Sequence, residues 1–509
     1  MLTALILIPL LAALLVALSP RGSKALPRWV ALGATGATLV IGVLLFLQFD
    51  PKGGLQFVQK IPWVPSLGLS FYLGMDGLNV GLILMGTIVA FAAAAVSVDI
   101  QRSEKEFYTL LLVMVGGILG AFVSQDLFLL YFFHELALVP TFIMIGVWGR
   151  GDRRTYATFK ITIYLTVGAL IALAGLILLY LAIPGAERTF DIGAMTSYFQ
   201  KHPLPAGDQR FLFGLLLFGF GILVSLWPFH TWAPIGYAAA PTANAMLHAG
   251  VLKKFGLYAL IKVALPMLPA GAQNWMPTLA LLCLGNLLYC GWVAMRQKDL
   301  NLLIGNSSVA HMGFCFLGIA SLSLVGITGA IVVMVAHGLL AALSFGLSGY
   351  LYSQTGSLTI PRFGGLLQKL PFAGTLLIMA LFAGCGVPGF ANFAGEIMVL
   401  FGSWKSPSVG HWPVVAAAWG ALVIGGVYML RAIRGLLHGP MPTQWDSLVD
   451  LSGARRWPYL MLVAALLTFG VAPGLLTEAI RPAAEQIVKL ATANAQKPVA
   501  AAAAPVVPH

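Results

Sequence analysis

The chain has 509 residues, 59% of them hydrophobic and only 9% charged, with a mean hydropathy of +0.91. A soluble domain is nearer one quarter charged, so the composition excludes a water-soluble enzyme and indicates an integral membrane protein. The net charge of +12 does not mark a nucleic-acid surface, because the basic residues sit in short loops between apolar runs and read as topology signals.

The first apolar run, LTALILIPLLAALLVALS, has no basic stretch ahead of it and further spans follow. It reads as a first helix rather than a signal peptide. Fourteen spans are expected, near 2–18, 29–48, 77–98, 107–125, 127–148, 158–183, 211–230, 242–265, 275–295, 300–321, 324–352, 371–402, 412–434 and 457–477. The 50–75 connection, with WVPSLGLSFYLGMDG, is too polar and turn-rich to cross and is expected to form a capped extracellular loop; the 184–209 connection is similar. The Ala- and Pro-rich tail after about Lys489 is expected to be disordered. Loops after odd-numbered spans hold sixteen Lys and Arg, from Arg21 and Lys24 to Arg455 and Arg456; loops after even-numbered spans hold seven, Lys262 among them. The excess puts the odd loops in the cytoplasm and both termini on the other side.

Two spans are interrupted, the seventh at SLWPFHTWAP and the twelfth at GCGVPGFANFAGE. They are five spans apart, so they run in opposite directions, and interrupted helices at matching positions point to inverted repeats and a transport path. The expected fold class is all-α: a polytopic membrane protein of about 14 transmembrane helices, with two inverted five-helix repeats and broken helices 7 and 12. Its expected divisions are 1–106 (helices 1–3 and a loop), 107–265 (first repeat), 266–434 (second repeat) and 435–509 (last helix and tail).

The stretch Pro228–Phe255 reads as a helix broken at Pro228, a Pro- and Ala-rich loop, and a second helix carrying Lys253 and Lys254. Ammonium groups inside an apolar span are costly and mark charge pathways. The two lysines lie about 100° apart round a helix, so they cannot share one partner. Among the carboxylates only Glu135 and Glu396 fall well inside spans; burial tunes such groups for proton exchange, the alternative being a static buried pair. His134, His248, His311 and His337 lie in or near spans and His230 at the break of the seventh, placed to relay protons or to be satisfied structurally. Lys160 is either a pathway group or a lysine reaching to the cytoplasmic surface. Cys283, Cys290, Cys315 and Cys385 sit in apolar segments without ligand spacing, which fits small core residues rather than a metal site. No phosphate-binding loop, dinucleotide fingerprint or HExxH is present. The driving force for any transport must come from partners.

The segments WVPSLGLSFYLGMDGLN, SQDLFLLYFFHELALVPTFIMIGVWG, PFHTWAP, GVLKKFGLYAL, NSSVAHMGF, MVAHGLLAALSFGLSGYLY and GVPGFANFAGEIMVLFGS, in this order, cover nearly all spans. Together they resemble the antiporter-like subunit M (mitochondrial chain 4) of respiratory complex I, the NADH-quinone oxidoreductase. The wider superfamily includes Mrp-type cation/proton antiporter and membrane-bound hydrogenase subunits. The resemblance implies a proton-translocating, multi-pass subunit of the bacterial inner membrane, with both termini periplasmic. It implies Glu135 as an inlet-side switch, Lys254 as central carrier, His311 and His337 as relays and Glu396 as the exit-side group. It implies no cofactor in this chain; FMN, iron–sulfur clusters and quinone belong to partner subunits, alongside other antiporter-like chains and the bilayer, with no nucleic acid.

The sequence departs from that pattern. The family usually has a lysine seven residues before the histidine of PFHTW, and here that position is Leu223. No Lys or Arg lies between Phe211 and Lys253. APIGY stands where LPDAH is usual, His134 stands where an aromatic is common, and Lys253 is extra. Either His134 or Lys253 replaces the lost partner of Glu135, or proton uptake differs, or the chain is a diverged, non-pumping paralogue serving assembly. An Mrp-type antiporter subunit is the other rival.

Overall fold

Apolar runs can satisfy their backbone groups in lipid only as helices or closed barrels, and here they form helices. The computed structural model describes residues 1–20 and 25–493. Arg21 and Lys24, and the tail expected to be disordered beyond residue 493, lie outside the described residues. In chain order the helices are α1 (Leu2–Leu18), α2 (Ala25–Gln48), α3 (Val80–Val96), α4 (Glu104–Val123), α5 (Leu127–Trp148) and α6 (Arg154–Leu181). Then come α7 (Ile192–Lys201), α8 (Ala206–Val224), α9 (Trp232–Ala239), α10 (242–267), α11 (Pro269–Arg296) and α12 (Leu300–Ala320). The last are α13 (Leu324–Thr355), α14 (Pro371–Gly384), α15 (Ala391–Trp404), α16 (His411–Leu437), α17 (Trp457–Val471) and α18 (Gly474–Thr492). Among the described residues ten helices are long and apolar enough to cross a bilayer, and one bent pair qualifies together. The central helices α12 and α13 are buried along most of their length.

Four expectations are corrected. The 50–75 connection is not part of an all-α fold: Gln56–Val64 (β1) and Leu69–Met75 (β2) pair antiparallel, with Lys60 opposite Tyr72 and Ile61 opposite Phe71. Its aromatic and β-branched residues suit a pleated surface, and Gly68 takes the left-handed turn position that lacks a Cβ penalty. The Ala-rich stretch after Pro228, expected as a loop, is largely helix α9, as the high helix propensity of alanine favours. The last expected span ends at Val471, because Pro473 cannot continue the helix; the chain bends by 68° and continues as α18 past Lys489 to Thr492. Leu476, Ile480, Ala484 and Ile487 give α18 one buried face. Lys262, counted with the loop residues, lies inside α10.

Two regions of the chain repeat the same local constructions. Asp126 caps α5 by accepting from the Phe128 and Leu129 amides, and Asp299 caps α12 by accepting from the Leu302 amide. Each cap is bridged to the chain leaving the next helix, Asp126 to Asp191 and Asp299 to Thr359. Burial raises both aspartates from their ordinary value, against the pull of their amide donors. The two breaks also match: Leu226 N–H reaches back to the Gly221 carbonyl at 2.7 Å, and Val387 N–H to the Phe382 carbonyl at 3.2 Å. Each turn passes through a left-handed residue, Ser225 in the first and Gly386 in the second.

Candidate functional site

Lys253 and Lys254 on α10 are 2% and 0% exposed. A charge at such depth costs about 2.5–3.5 kcal/mol unless it finds partners, so the partners define the site. Lys253 Nζ donates to Ser308 Oγ at 3.2 Å and to the Ser308 carbonyl at 3.4 Å, and stands 5.5 Å from the Tyr237 ring centre. Lys254 Nζ donates to the Ala249 carbonyl at 2.6 Å and meets His337 Nδ1 at 2.7 Å.

The local backbone arranges this contact. α10 widens into π turns at His248–Leu252 and Leu260–Ala264. Lys253 N–H reaches back five residues to the His248 carbonyl, at 3.1 Å, instead of four to Ala249. The Ala249 carbonyl takes the Lys254 ammonium. Such wide turns often sit at functional positions. Facing them, a Cβ on Gly250 would lie 2.9 Å from the Gly338 carbonyl, and one on Gly338 2.8 Å from the Gly250 carbonyl. The paired glycines let α10 and α13 close up, which brings Lys254 against His337.

Beyond His337 lies His311, with ring centres 5.3 Å apart. His311 Nδ1 is 2.7 Å from the Ser307 carbonyl. A carbonyl only accepts, so Nδ1 carries a hydrogen, and the other ring nitrogen is Nε2. That atom stands 3.6 Å from Glu396 Oε1, which is buried and has no hydrogen-bond partner among the described residues. Gly386 in the break between α14 and α15 makes room for this carboxyl: a Cβ there would lie 2.7 Å from Glu396 Oε2. Asn392, one turn earlier on α15, has both amide atoms unpartnered among the described residues. Lys254, His337, His311 and Glu396 are thus gathered into one buried chain.

The first half is equipped differently. Leu223 is buried, at 3% exposure. Glu135 Oε1 lies 3.2 Å from His134 Nδ1, with the Glu135 side chain 33% exposed. The His134 ring stacks on Phe255 at 3.9 Å between centres. Of the two substitutes for the lost lysine, His134 therefore stands beside Glu135, while the Lys253 ammonium is engaged at Ser308. His248 is stacked on Trp232 and edge-on to Tyr237, with its Nδ1, the Tyr237 hydroxyl and Asn244 Oδ1 unpartnered. His230 is edge-on to Tyr289 with Nδ1 unpartnered. Lys160 is half-buried, 5.6 Å from the Tyr156 ring on its own helix, and joins neither group.

Other polar residues join the site. Ser307 orients His311 and accepts at Oγ from the Tyr428 hydroxyl at 3.0 Å. Tyr428 lines a cavity of about 670 Å3 beside Arg296, Lys298 and Arg431. The four-residue spacing of Ser307 and His311 was visible in NSSVAH; the Tyr428 contact, from a distant helix, was not. Among the described residues no group of three or more His, Cys, Asp or Glu is placed to hold a metal ion. Cys283, Cys290 and Cys315 are buried, Cys385 is half-buried, and all four are free.

Residues 124–425 match the family described as NADH:quinone oxidoreductase/Mrp antiporter, transmembrane. The chain is 32% identical over 504 residues to NADH-quinone oxidoreductase subunit M of Rhodobacter capsulatus, covering 96% of each. It superimposes on a chain of respiratory complex I from Thermus thermophilus with bound NADH, with a TM-score of 0.87 and 29% identity, covering 96% of this chain and 100% of that one. A chain of the Mrp complex from Dietzia sp. DQ12-45-1b shares the fold, with a TM-score of 0.81 and 19% identity, covering 96% of this chain and 97% of that one.

Proposed function

Because the chain belongs to the NADH:quinone oxidoreductase/Mrp antiporter membrane family, we propose that it is a subunit M-type, proton-translocating membrane-arm subunit of an NADH-quinone oxidoreductase. The observation that carries the reading is the 2.7 Å contact of Lys254 Nζ with His337 Nδ1 at the head of a buried chain reaching Glu396. A protonated lysine has no acceptor, so it donates to the neutral imidazole. Transfer of that proton leaves a neutral amine and an imidazolium whose Nδ1–H donates back. The positive charge has then moved one step toward His311 and Glu396. A protonated Glu396 supplies its hydrogen to His311 Nε2, or the carboxylate takes one from it, by the same exchange.

In this reading Glu135 with His134 forms the inlet-side switch, Lys254 is the central carrier, His337 and His311 relay, and Glu396 stands on the exit side. Lys253, His230, His248 and Lys160 flank the path; the unpartnered polar atoms of His230 and His248 are places where water fits. Inverted repeats over 107–265 and 266–434 are supported by the paired caps and paired breaks. The basic loops support a cytoplasmic odd side, with the hairpin and both termini periplasmic, in a bacterial inner membrane. FMN, iron–sulfur and quinone chemistry belongs to partner subunits, and other antiporter-like chains are the neighbours.

The test is Lys254→Met in the whole complex, reconstituted in vesicles. The expected outcome is a lower number of protons moved per electron pair. An unchanged ratio, with assembly lost only when the chain is deleted, would favour an assembly element instead. Purification through a tag on this chain separates the Mrp-type rival: flavin and iron–sulfur subunits should accompany it, whereas an Mrp-type subunit would come with small membrane partners and show sodium-dependent exchange.

A further inference from the structure

One hydroxyl beside the proton chain is turned away from the place its own helix offers. A serine or threonine inside a helix can donate to the carbonyl three or four residues back, and in this chain Thr109, Ser124, Thr158 and Thr355 all do so. Ser307 on α12 makes no such bond among the described residues. Its Oγ accepts from the Tyr428 hydroxyl at 3.0 Å and lies 3.4 Å from His311 Nδ1. Ser307 and Tyr428 are both buried.

Tyr428 reaches this place from α16. That helix widens into a π turn at Gly420–Gly425, just ahead of Tyr428. One extra residue in a turn rotates everything after it by about 100°, and such turns often sit at functional positions. Gly291 on α11 lets α16 come close: a Cβ there would lie 2.8 Å from Ile424 Cγ2 and 3.9 Å from the Tyr428 ring.

The hydrogens decide what the contact does. Tyr428 offers its hydrogen to Ser307 Oγ, and His311 Nδ1 offers its own to the Ser307 carbonyl at 2.7 Å. Both point at Ser307, so no proton passes along this line and the serine is a point of attachment. With Nδ1 attached, Nε2 stands 3.6 Å from Glu396 Oε1. The last torsion of a histidine is broad and about two-fold, so it does not by itself choose between the two ring orientations. A ring turned over about its Cβ–Cγ bond would put Cδ2 against the serine and Cε1 toward Glu396. Neither carbon exchanges a proton with the carboxyl.

We propose that Tyr428 is a positioning residue for the relay: through Ser307 it keeps the His311 ring in the orientation that presents Nε2 to Glu396. The inference rests on proton translocation through Lys254, His337 and His311. Tyr428 neither gives nor takes the translocated proton. Its bond keeps Ser307 Oγ beside Nδ1, so that a second acceptor backs the carbonyl and a nitrogen, not a carbon, stays on that side.

The experiment uses the whole complex in vesicles and reads protons moved per electron pair beside the rate of electron transfer. Tyr428→Phe removes only the hydroxyl. It should lower the ratio by less than Lys254→Met does, because the Ser307 carbonyl still meets Nδ1. Ser307→Ala should lower it to the same extent, and it carries the test if Tyr428→Phe fails to assemble. The double variant should lose no more than either single one, since both cut the same connection. Ser307→Thr keeps the hydroxyl and should keep most of the ratio. Ser307→Cys keeps the size but bonds weakly, and should resemble Ser307→Ala. The opposite order, with the cysteine variant near the unmodified ratio and the threonine variant low, makes this a packing contact and overturns the positioning role. Losses that add in the double variant overturn it as well. Unchanged ratios in Tyr428→Phe and Ser307→Ala, beside a lowered one in Lys254→Met, overturn it and leave translocation standing. An unchanged ratio in Lys254→Met overturns both.

Discussion

Two regions, one with the Asp126 cap and the break at Ser225 and one with the Asp299 cap and the break at Gly386, share local constructions and differ in what titrates on them. Both have an aspartate-capped helix bridged to the chain that leaves the next helix, and both have a helix broken by the same five-residue return. At the first break, Asn286 fastens the turn, accepting from the Trp227 amide at 2.8 Å and donating to the Ser225 carbonyl at 2.9 Å. An amide cannot change charge. At the second break the turn makes room for Glu396, which can. The first region keeps a partly exposed Glu135 beside His134 and a buried Leu223; the second keeps a buried line from Lys254 to Glu396. The same backbone device is thus fastened by an amide at the first break and makes room for a carboxyl at the second.

The strongest way to break the comparison is His337→Gln. Glutamine keeps hydrogen bonding but cannot take the lysine proton at neutral pH. Proton exchange through the second half should fall on the order of 10²-fold, the usual worth of a positioned acid or base. Read as protons per electron pair, it should match Lys254→Met. A ratio close to that of the unmodified complex would mean that His337 only orients Lys254. Gly386→Ala should come next. Its left-handed backbone costs an alanine about 1–2 kcal/mol, and the new methyl displaces the Glu396 carboxyl. The ratio should drop less than for His337→Gln, with complex stability lowered as well.

How much of this was legible follows from the kind of signal. Lys253 and Lys254 declared themselves because charge inside an apolar run has few explanations. The two breaks were marked by Pro228 and by the Gly and Pro residues near 386–389. The missing lysine at Leu223 was visible only through the resemblance, and which residue stands beside Glu135 needed the packing of His134 on Phe255. Lys262 was counted with the loops although the eighth expected span, 242–265, already contained it, and its partner Asp76 is remote in sequence. The π turns depend on which helix packs opposite, at Gly250 and Gly338, and carry no local mark. The hairpin was recognised as non-spanning, but its pairing register rests on partners beyond a short window.

Glu135→Gln sharpens the contrast from the other side. Glu135 is partly open and meets His134, so the proposed inlet rests on a weakly buried contact. The rate of proton exchange through the first half should fall about twofold or less, a barrier change under ~0.5 kcal/mol. His134→Phe should reproduce it, since the imidazole is the partner the carboxyl meets. A loss as large as that of His337→Gln would show that the first half works fully despite Leu223. No loss in either variant would mean that protons reach Lys254 by another way.

The smallest effect belongs to a tie that only the first half has. Lys60 on β1 donates to Asp191 Oδ2 at 2.6 Å, and Asp191 caps α7 and bridges to Asp126. At the matching bridge of the second half stands Thr359, which carries no charge to hold. The hydrogen bond to Asp191 raises the Lys60 ammonium above its ordinary value of 10.5. A raised lysine stabilises the fold fully below that value, and the contribution is lost as pH climbs through the higher folded one. The Lys60 side chain is 48% exposed, so water screens the pair and its worth stays below about 1 kcal/mol. Lys60→Met should therefore lower the thermal midpoint of the complex slightly at neutral pH. The difference should fade above about pH 10.5, while protons per electron pair stay unchanged. A change in that ratio would tie the hairpin to the inlet itself, and the first half would then owe its proton uptake to a surface joint that the second half does not possess.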